Sequence, residues 1–191
     1  DIVIYTTIGI RSCVRMRDAN FLKRIGAFMI DYLIIFGYIL VTAGIGVTIW
    51  LVLFGGRLTL SELEQNSIGF FVMVLPVTLY FICSEISKYS GTIGKRKCKI
   101  MVVSNDYHKA TVSQIIIRNS IKFIPWQCAH MMIYRGMALN WESSPMLFFL
   151  MFCAFFLPVF YIGSMLIRKD GRSIYDLLAR TRVVEIGMKT E

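Results

Sequence analysis

Long apolar runs alternate with short basic segments along the chain. Three runs are long enough to cross a bilayer, since about 20 apolar residues at 1.5 Å per residue span the hydrocarbon: Phe28–Phe54, Ile68–Ile86 and Pro145–Ile167. The first run holds one charge, Asp31, the second holds Glu85 near its end, and the third holds none. Pro76 lies inside the second run, where neighbouring helices can satisfy the carbonyl that a proline leaves free. The pattern predicts three membrane-spanning helices.

A fourth segment, Val112–Leu139, mixes apolar and polar residues, and hydropathy alone leaves it outside the membrane. The distribution of Lys and Arg indicates otherwise. Five, eight and six of these residues lie in three segments, 1–24, 87–124 and 168–191, and the two segments between the runs, 55–67 and 125–144, hold one each. Lys and Arg concentrate in the cytoplasmic loops of membrane proteins. All three basic segments reach the cytoplasm only when the fourth segment also crosses.

We therefore predict an all-α integral membrane helical bundle with four transmembrane helices, of which the third is polar, and with both termini cytoplasmic. The spans are expected at about four positions: 24–54, 68–86, 115–139 and 145–167. In an alternative topology there are three spans, and residues 112–139 lie amphipathically in the interface. The membrane we expect is the bacterial cytoplasmic membrane.

Two short pieces in the basic segments have strand character. Residues 99–103 are rich in β-branched side chains and precede a Ser-Asn-Asp turn signal, and residues 182–186 alternate between polar and apolar side chains. Both are cytoplasmic in the predicted topology, so we expect them to pair as a small β-sheet. Ile174, Leu177 and Leu178 have the spacing of a short amphipathic helix. The domains are thus a basic N-terminal segment, 1–19, and a membrane domain, 20–186, with a cytoplasmic tail over 168–191.

Composition excludes several classes of protein. The chain of 191 residues is 56% hydrophobic and 17% charged, with a mean hydropathy of +0.62 and a net charge of +9. An ordinary soluble domain has about 25% charged residues. The basic excess fits cytoplasmic flanks of spans, so we expect no nucleic-acid partner. The five cysteines and two histidines show no ligand spacing, so we expect no metal, no cofactor and no enzymatic activity.

Asp31 and Arg24 form the most informative pair of charges. They are seven residues apart and so share one helix face. A carboxylate inside a span is expensive, and it indicates either a site for a proton or cation or a buried ion pair that fixes helix packing. We expect Asp31 to contact a cation from another segment, first Arg118, otherwise Arg24 or Lys122.

The other charges near the predicted cytoplasmic ends have simpler interpretations. Glu85 is expected to reach the headgroup region as an interfacial acid. The stretch 91–95, Gly-Thr-Ile-Gly-Lys, is similar to a phosphate-binding loop but lacks the strand before it and the Ser or Thr after the lysine. We expect a tight turn at the membrane surface instead, with four cations facing lipid headgroups: Lys95, Arg96, Lys97 and Lys99.

These motifs, taken in order, resemble the RDD family of small integral membrane proteins, named for one arginine and two aspartates. The pieces that carry the resemblance are Arg24-Ile25-Gly26-Ala27 with Asp31, residues 91–96 with Val102-Val103, Arg118-Asn119, and residues 173–184. Arg24, Asp31 and Asp176 match the naming residues, and the likeness covers about residues 20–186. The family's usual glycine shortly after the Gly-Thr-Ile-Gly-Lys piece is absent, since the run reads Lys97-Cys98-Lys99-Ile100.

The resemblance implies two functions. One is exchange of a monovalent cation (Na⁺, Li⁺ or K⁺) for a proton, with Asp31 as the key carboxylate. The ion or ion-pair site would then contain five residues: Asp31, Arg24, Arg118, Glu85 and Asp176. The other is a non-catalytic interaction or assembly module whose basic cytoplasmic face binds anionic headgroups. Either function calls for a homo-oligomer or a partner membrane protein. All five charges lie toward the predicted cytoplasmic side, whereas transporter ion sites usually lie near the midplane.

Overall fold

A computed structural model of the protein describes residues 15–187. Its helices are α1 (Phe21–Phe54), α2 (Glu62–Gly69), α3 (Leu75–Ile86), α4 (Ile93–Lys97), α5 (Val112–Ala138), α6 (Pro145–Ile167) and α7 (Ile174–Leu178). Its strands are β1 (Arg15–Asp18), β2 (Ile100–Ser104) and β3 (Thr181–Gly187). The predicted short helix over residues 174–178 is therefore confirmed.

Three helical segments are long and apolar enough to cross a membrane: Phe21–Phe54, Glu62–Ile86 and Pro145–Ile167. The three predicted apolar helices are confirmed as able to cross a membrane, although two begin earlier than predicted because polar residues cap them. Asn20 accepts a hydrogen bond from the Leu22 N–H at 3.4 Å. Ser61 and Glu64 form a reciprocal capping box at the start of α2. The fourth predicted span is also one helix, α5, but length and composition do not by themselves make it a membrane span.

A tyrosine satisfies the carbonyl that the proline of the second span leaves free. A π-helical turn, Phe70–Val74, joins α2 to α3 just before Pro76. Pro76 has no N–H to donate to the Val72 carbonyl four residues earlier. The Tyr38 hydroxyl of α1 donates to that carbonyl at 2.5 Å. A proline is therefore tolerated here in the way the sequence analysis expects.

The same arrangement recurs in α5. Pro125 lies inside this helix and frees the carbonyl of Ile121. The Tyr161 hydroxyl of α6 donates to this carbonyl at 2.9 Å. The side chain of one helix thus completes the backbone hydrogen bonding of the next, which ties α5 to α6.

The three strands form one antiparallel sheet in the order β1-β3-β2. The predicted pairing of residues 99–103 with residues 182–186 is confirmed, with Val102 opposite Val183. β1 is a third strand that the sequence analysis does not predict, and it pairs with the other edge of β3. Apolar side chains of the sheet pack with Ala19 and Ile115 in one buried core.

The chain divides into two compact units of very different charge. One, the basic unit, comprises Asp1–Asp31, Tyr80–Lys122 and Val159–Glu191, and the other, the apolar unit, comprises Tyr32–Leu79 and Phe123–Pro158. All but two of the 21 Lys and Arg residues belong to the basic unit, the exceptions being Arg57 and Arg135. The apolar unit holds three of the 12 acidic residues.

Candidate functional site

Five charged side chains lie buried together in the basic unit, each from a different element. We call them the charge cluster: Arg24 from α1, Glu85 from α3, Lys95 from α4, Arg118 from α5 and Asp176 from α7. Each is at most 8% exposed. Four of the five are residues that the sequence analysis names as an ion or ion-pair site, and the fifth, Lys95, is not.

Arg118 lies at the centre of the charge cluster and contacts both of its carboxylates. Its Nη1 donates to Glu85 Oε1 at 2.7 Å and Oε2 at 2.9 Å, and its Nε donates to Asp176 Oδ1 at 2.9 Å. Hydrogen bonds between charged groups are stronger than neutral ones, and the planar guanidinium suits two carboxylates at once. One arginine thereby joins α5 to α3 and α7.

Asp176 receives a second arginine and a backbone group. Its Oδ2 accepts from Arg24 Nη2 and from the Ser173 N–H, the latter at 3.1 Å as part of the capping box of α7. Arg24 Nη1 also donates to the Gly171 carbonyl. Burial alone raises the pKa of a carboxyl, but Arg24 and Arg118 hold the pKa of Asp176 below its ordinary value. The carboxylate therefore stays ionised between two cations.

Glu85 is enclosed by donors instead of lying at the interface. Besides Arg118, it accepts from Lys95 Nζ and from Asn119 Nδ2, the latter at 2.9 Å. It is 2% exposed, so the expectation of an interfacial acid is wrong. Arg118, which was expected to bind Asp31, binds Glu85 instead and draws it into the cluster.

Lys95 likewise points inward, and the expectation that it faces headgroups is wrong. Its side chain is buried and forms an ion pair with Glu85. Burial and the nearby Arg118 lower the pKa of Lys95 to about 8, although Glu85 opposes this shift. The other three predicted headgroup-facing cations, Arg96, Lys97 and Lys99, are exposed.

Asp31 is buried, at 1% exposed, and it is bound by neutral donors. Its Oδ2 accepts from Thr92 Oγ1 at 2.5 Å, and its Oδ1 accepts from the Gly94 N–H at 2.9 Å and the Tyr80 hydroxyl at 3.1 Å. The expected ion pair between Asp31 and Arg118 is wrong, because among the described residues the ion pairs of Arg118 are with Glu85 and Asp176.

The Gly-Thr-Ile-Gly-Lys piece, which is predicted to form a tight turn, leads into the short helix α4, and α4 docks on α1. Thr92 is the N-cap of α4, and its hydroxyl accepts from the Lys95 N–H at 3.4 Å. A Cβ on Gly94 would come within 2.1 Å of the Ala27 carbonyl oxygen and 2.9 Å of the Asp31 carboxyl carbon. Only glycine permits this approach. Asp31 thus holds α4 against α1, while Glu85 holds it against α3.

Lys122, the third expected partner of Asp31, lies one turn beyond Arg118 on α5. Its Nζ is 3.5 Å from the ring centroid of the buried Phe81, a cation–π contact.

Within residues 15–187, no group of three or more His, Cys, Asp or Glu side chains is placed to hold a metal ion.

Comparison with known proteins identifies the family. A sequence model of the RDD family matches residues 19–180, most of the chain. The chain belongs to the RDD family. No curated protein and no solved structure matches it. Together with the three apolar helices, this membership marks it as a membrane protein.

The residues that match the RDD name have different partners in this structure. Arg24 and Asp176 bind each other directly, whereas Asp31 binds the start of α4. Sequence reasoning missed Lys95, Asn119 and Thr92 as members of this RDD site. A signal existed for two of them, since Asn119 adjoins Arg118 and threonine, the residue type of Thr92, is favoured at a helix N-cap.

Proposed function

We propose that this RDD protein is a non-catalytic membrane module for interaction or assembly, with a basic cytoplasmic face. The observation that carries the proposal is that the protein itself supplies the donors for each buried carboxylate. Asp31 accepts three hydrogen bonds, Glu85 accepts from two cations and one amide, and Asp176 accepts from two arginines and one N–H.

Such carboxylates are poor ligands for a transported cation. A carboxylate has about four lone-pair sites, of which the protein's donors fill four at Glu85 and three at Asp176. Each of these two carboxylates is already paired with two cations, with which Na⁺ would have to compete. Separating one partner of a buried ion pair costs about 3–5 kcal/mol. The charge cluster therefore suits a fixed joint between five elements better than a site that loads and unloads an ion in each cycle.

In this proposal the chain crosses the membrane four times, and the basic unit lies on the cytoplasmic side. Four long helical segments contribute one end each to the basic unit: the starts of α1 and α5 and the ends of α3 and α6. The chain leaves the basic unit and returns to it twice. Such a path supports an even number of membrane crossings, with α5 as the polar third span. The concentration of Lys and Arg in that unit supports a cytoplasmic position in a bacterial membrane.

The exposed surface of the basic unit indicates acidic partners. Among the described residues of this unit, ten cations are exposed but only one acid, Asp106. The exposed cations are Arg17, Lys23, Lys88, Arg96, Lys97, Lys99, Lys109, Arg168, Lys169 and Arg180. Anionic headgroups or an acidic face of another membrane protein would complement this surface. A second copy of the chain would meet like charge there, so homo-oligomers would form through other surfaces.

Proteoliposomes test the proposal against transport. Wild type and Asp31→Asn are reconstituted with an internal pH dye and challenged with Na⁺, Li⁺ or K⁺ gradients. We expect both to match protein-free liposomes, while Asp31→Asn has a lower thermal unfolding midpoint in detergent because an NH₂ group replaces one of the two oxygens that bind Thr92 and the Gly94 N–H. Cation-driven proton flux in wild type that disappears in Asp31→Asn would refute the proposal.

Exchange of a monovalent cation for a proton at Asp31 is the second candidate. Two observations favour it. The hydrogen-bond donors described on Asp31 are neutral, so a cation binding there would break no hydrogen bond from one of these donors that carries a charge. On the same helix as one of these donors, burial lowers the pKa of Lys95 to about 8, which brings a titratable group close to physiological pH. In this case the flux of wild type would vary with pH around that value, and Lys95→Met would alter the profile.

A further inference from the structure

Two cations flank one tyrosine ring immediately after the end of α3. The Arg96 guanidinium carbon lies 3.8 Å from the Tyr89 ring centroid, and Lys88 Nζ lies 5.1 Å from the same centroid. We call Lys88, Tyr89 and Arg96 the Tyr89 clamp. Its geometry and its position between an apolar helix and a basic surface indicate a ligand.

The cations of the Tyr89 clamp are charged groups without an acidic partner among the described residues. Two other exposed cations of the basic unit do have one, since Lys23 pairs with Glu185 and Arg168 with Asp170. Stacking on the ring uses the face of the Arg96 guanidinium and leaves its in-plane N–H groups for an anion. Two like charges held on one ring would be neutralised by a bound anion.

The loop that carries Tyr89 is fixed by backbone hydrogen bonds. The Tyr89 N–H donates to Ser87 Oγ at 3.3 Å, and the Ser90 N–H donates to the Ser87 carbonyl at 3.1 Å. The Ser90 carbonyl accepts from the Val102 N–H of β2 at 2.8 Å. The backbone of this loop is therefore ordered before any ligand arrives, which lowers the entropic cost of binding.

The position of the clamp selects lipid. α3 ends at Ile86, three residues before Tyr89, and it belongs to an apolar segment long enough to cross a membrane. Tyrosine is enriched where hydrocarbon gives way to headgroups, and lysine reaches the headgroup phosphates there. Tyr89 is 47% exposed and Ile93, on the adjoining α4, is 42% exposed. An acyl chain would contact these apolar groups while its phosphate meets Arg96.

We propose that the Tyr89 clamp binds the phosphate of one anionic phospholipid. The nearby exposed Lys97 and Lys99 would repel the ammonium of a zwitterionic headgroup, which favours a lipid with net negative charge. This inference rests on the proposed function, because it assumes that the basic face lies at the membrane surface.

Native mass spectrometry of the full chain in detergent tests the clamp. Phosphatidylglycerol, phosphatidylcholine and inorganic phosphate are added in separate arms, and lipid adducts are counted for each variant. We expect wild type to retain phosphatidylglycerol preferentially, and Arg96→Gln to lower that retention about tenfold, as the loss of one charge-assisted hydrogen bond would. Arg96→Lys, which keeps the charge but loses the fork, should fall between them.

Lys169→Gln is the matched control, since Lys169 is also exposed and also follows the end of an apolar helix, α6. Its retention of phosphatidylglycerol should stay near that of wild type. Equal losses in Arg96→Gln and Lys169→Gln would overturn the clamp in favour of diffuse attraction, and so would equal binding of inorganic phosphate and lipid. Both variants should keep the wild-type unfolding midpoint because both side chains are exposed.

The result separates the clamp from the proposed function. If proteoliposomes show cation-driven flux while Arg96→Gln still loses lipid, the module proposal fails and the clamp stands. If flux is absent and lipid retention does not depend on Arg96, only the clamp fails.

Discussion

Asp176→Asn removes one charge from the centre of the buried network with almost no change of shape. In the wild type, Asp176 is 0% exposed and binds Arg118, Arg24 and the Ser173 N–H. The asparagine keeps one oxygen but places an NH₂ group against a guanidinium that also donates. Arg24 is then left with the Gly171 carbonyl alone, while Arg118 retains Glu85.

The expected cost follows from leaving a buried cation without its counter-charge. Removing one partner of a buried ion pair destabilises proteins by about 3–5 kcal/mol. For a chain of this length, 1 kcal/mol shifts the unfolding midpoint by about 2–4 °C, so we expect a drop of roughly 6–20 °C. Thermal unfolding of the detergent-solubilised protein, followed by tryptophan fluorescence, measures it.

Asp170→Asn is the matched control, with the same chemical change six residues earlier. Asp170 binds Arg168 and Arg172 near the surface, and its side chain is 26% exposed. Exposed ion pairs contribute about 0–1 kcal/mol, so its midpoint should move by a few degrees at most. A double variant, Arg24→Gln with Asp176→Asn, should be more stable than the sum of the single effects, because no unpaired arginine remains at that position. Equal shifts for the two aspartates would refute the network as a stabilising joint.

Three further variants test other joints of the fold by the same thermal unfolding measurement. Gly94→Ala should abolish the docking of α4 and greatly reduce folded protein, whereas Gly163→Ala, whose Cβ would have no neighbour within 4 Å, should be tolerated. Tyr161→Phe should cost about 1–2 kcal/mol by leaving a carbonyl unsatisfied, and less in a Pro125→Ala background, where the restored N–H satisfies it. Lys95→Met should remove a pH dependence of stability. The pKa of Lys95 is about 8 in the folded protein and 10.5 as the ordinary value, so between these values the unfolded chain binds more protons than the folded one. The stability of the wild type therefore rises by about 3 kcal/mol through this residue as the pH increases across that window. Equal slopes in wild type and Lys95→Met would contradict this.

Periodicity and composition were sufficient to predict the elements that depend on one segment at a time. The apolar runs predict three helices because length and hydropathy decide whether a helix can span a bilayer. The pairing of 99–103 with 182–186 follows from strand character plus a shared side of the membrane. β1 was missed because Arg15–Asp18 carries three charges in four residues and has no apolar alternation, so only its place beside β3 makes it a strand.

The partners of the buried charges could not be predicted in the same way. Sequence spacing puts Arg24 and Asp31 on one helix face, but it does not say which other segment each of them meets. The pairing of Arg118 with Asp31 is predicted because both lie near the predicted cytoplasmic ends of predicted spans. In the structure, α7 brings Asp176 to Arg118, and Gly94 lets the backbone of α4 take Asp31 instead. Each partner depends on three-dimensional packing that no local pattern contains.

The family glycine that is missing shortly after α4 gives a last prediction. Glycine is favoured directly after the C-cap of a helix, where the backbone turns left-handed. α4 ends at Lys97 with Cys98 as its C-cap, and the next residue, Lys99, has a φ of 55°. A non-glycine residue in this region costs of order 1 kcal/mol, so Lys99→Gly should raise the stability by a few tenths to about 1 kcal/mol after the added freedom of the unfolded chain is counted. Lys97→Gly, the same change inside the helix, should lower it by about 1 kcal/mol. Shifts of the same sign in the two variants would show that charge, and not backbone conformation, decides the outcome.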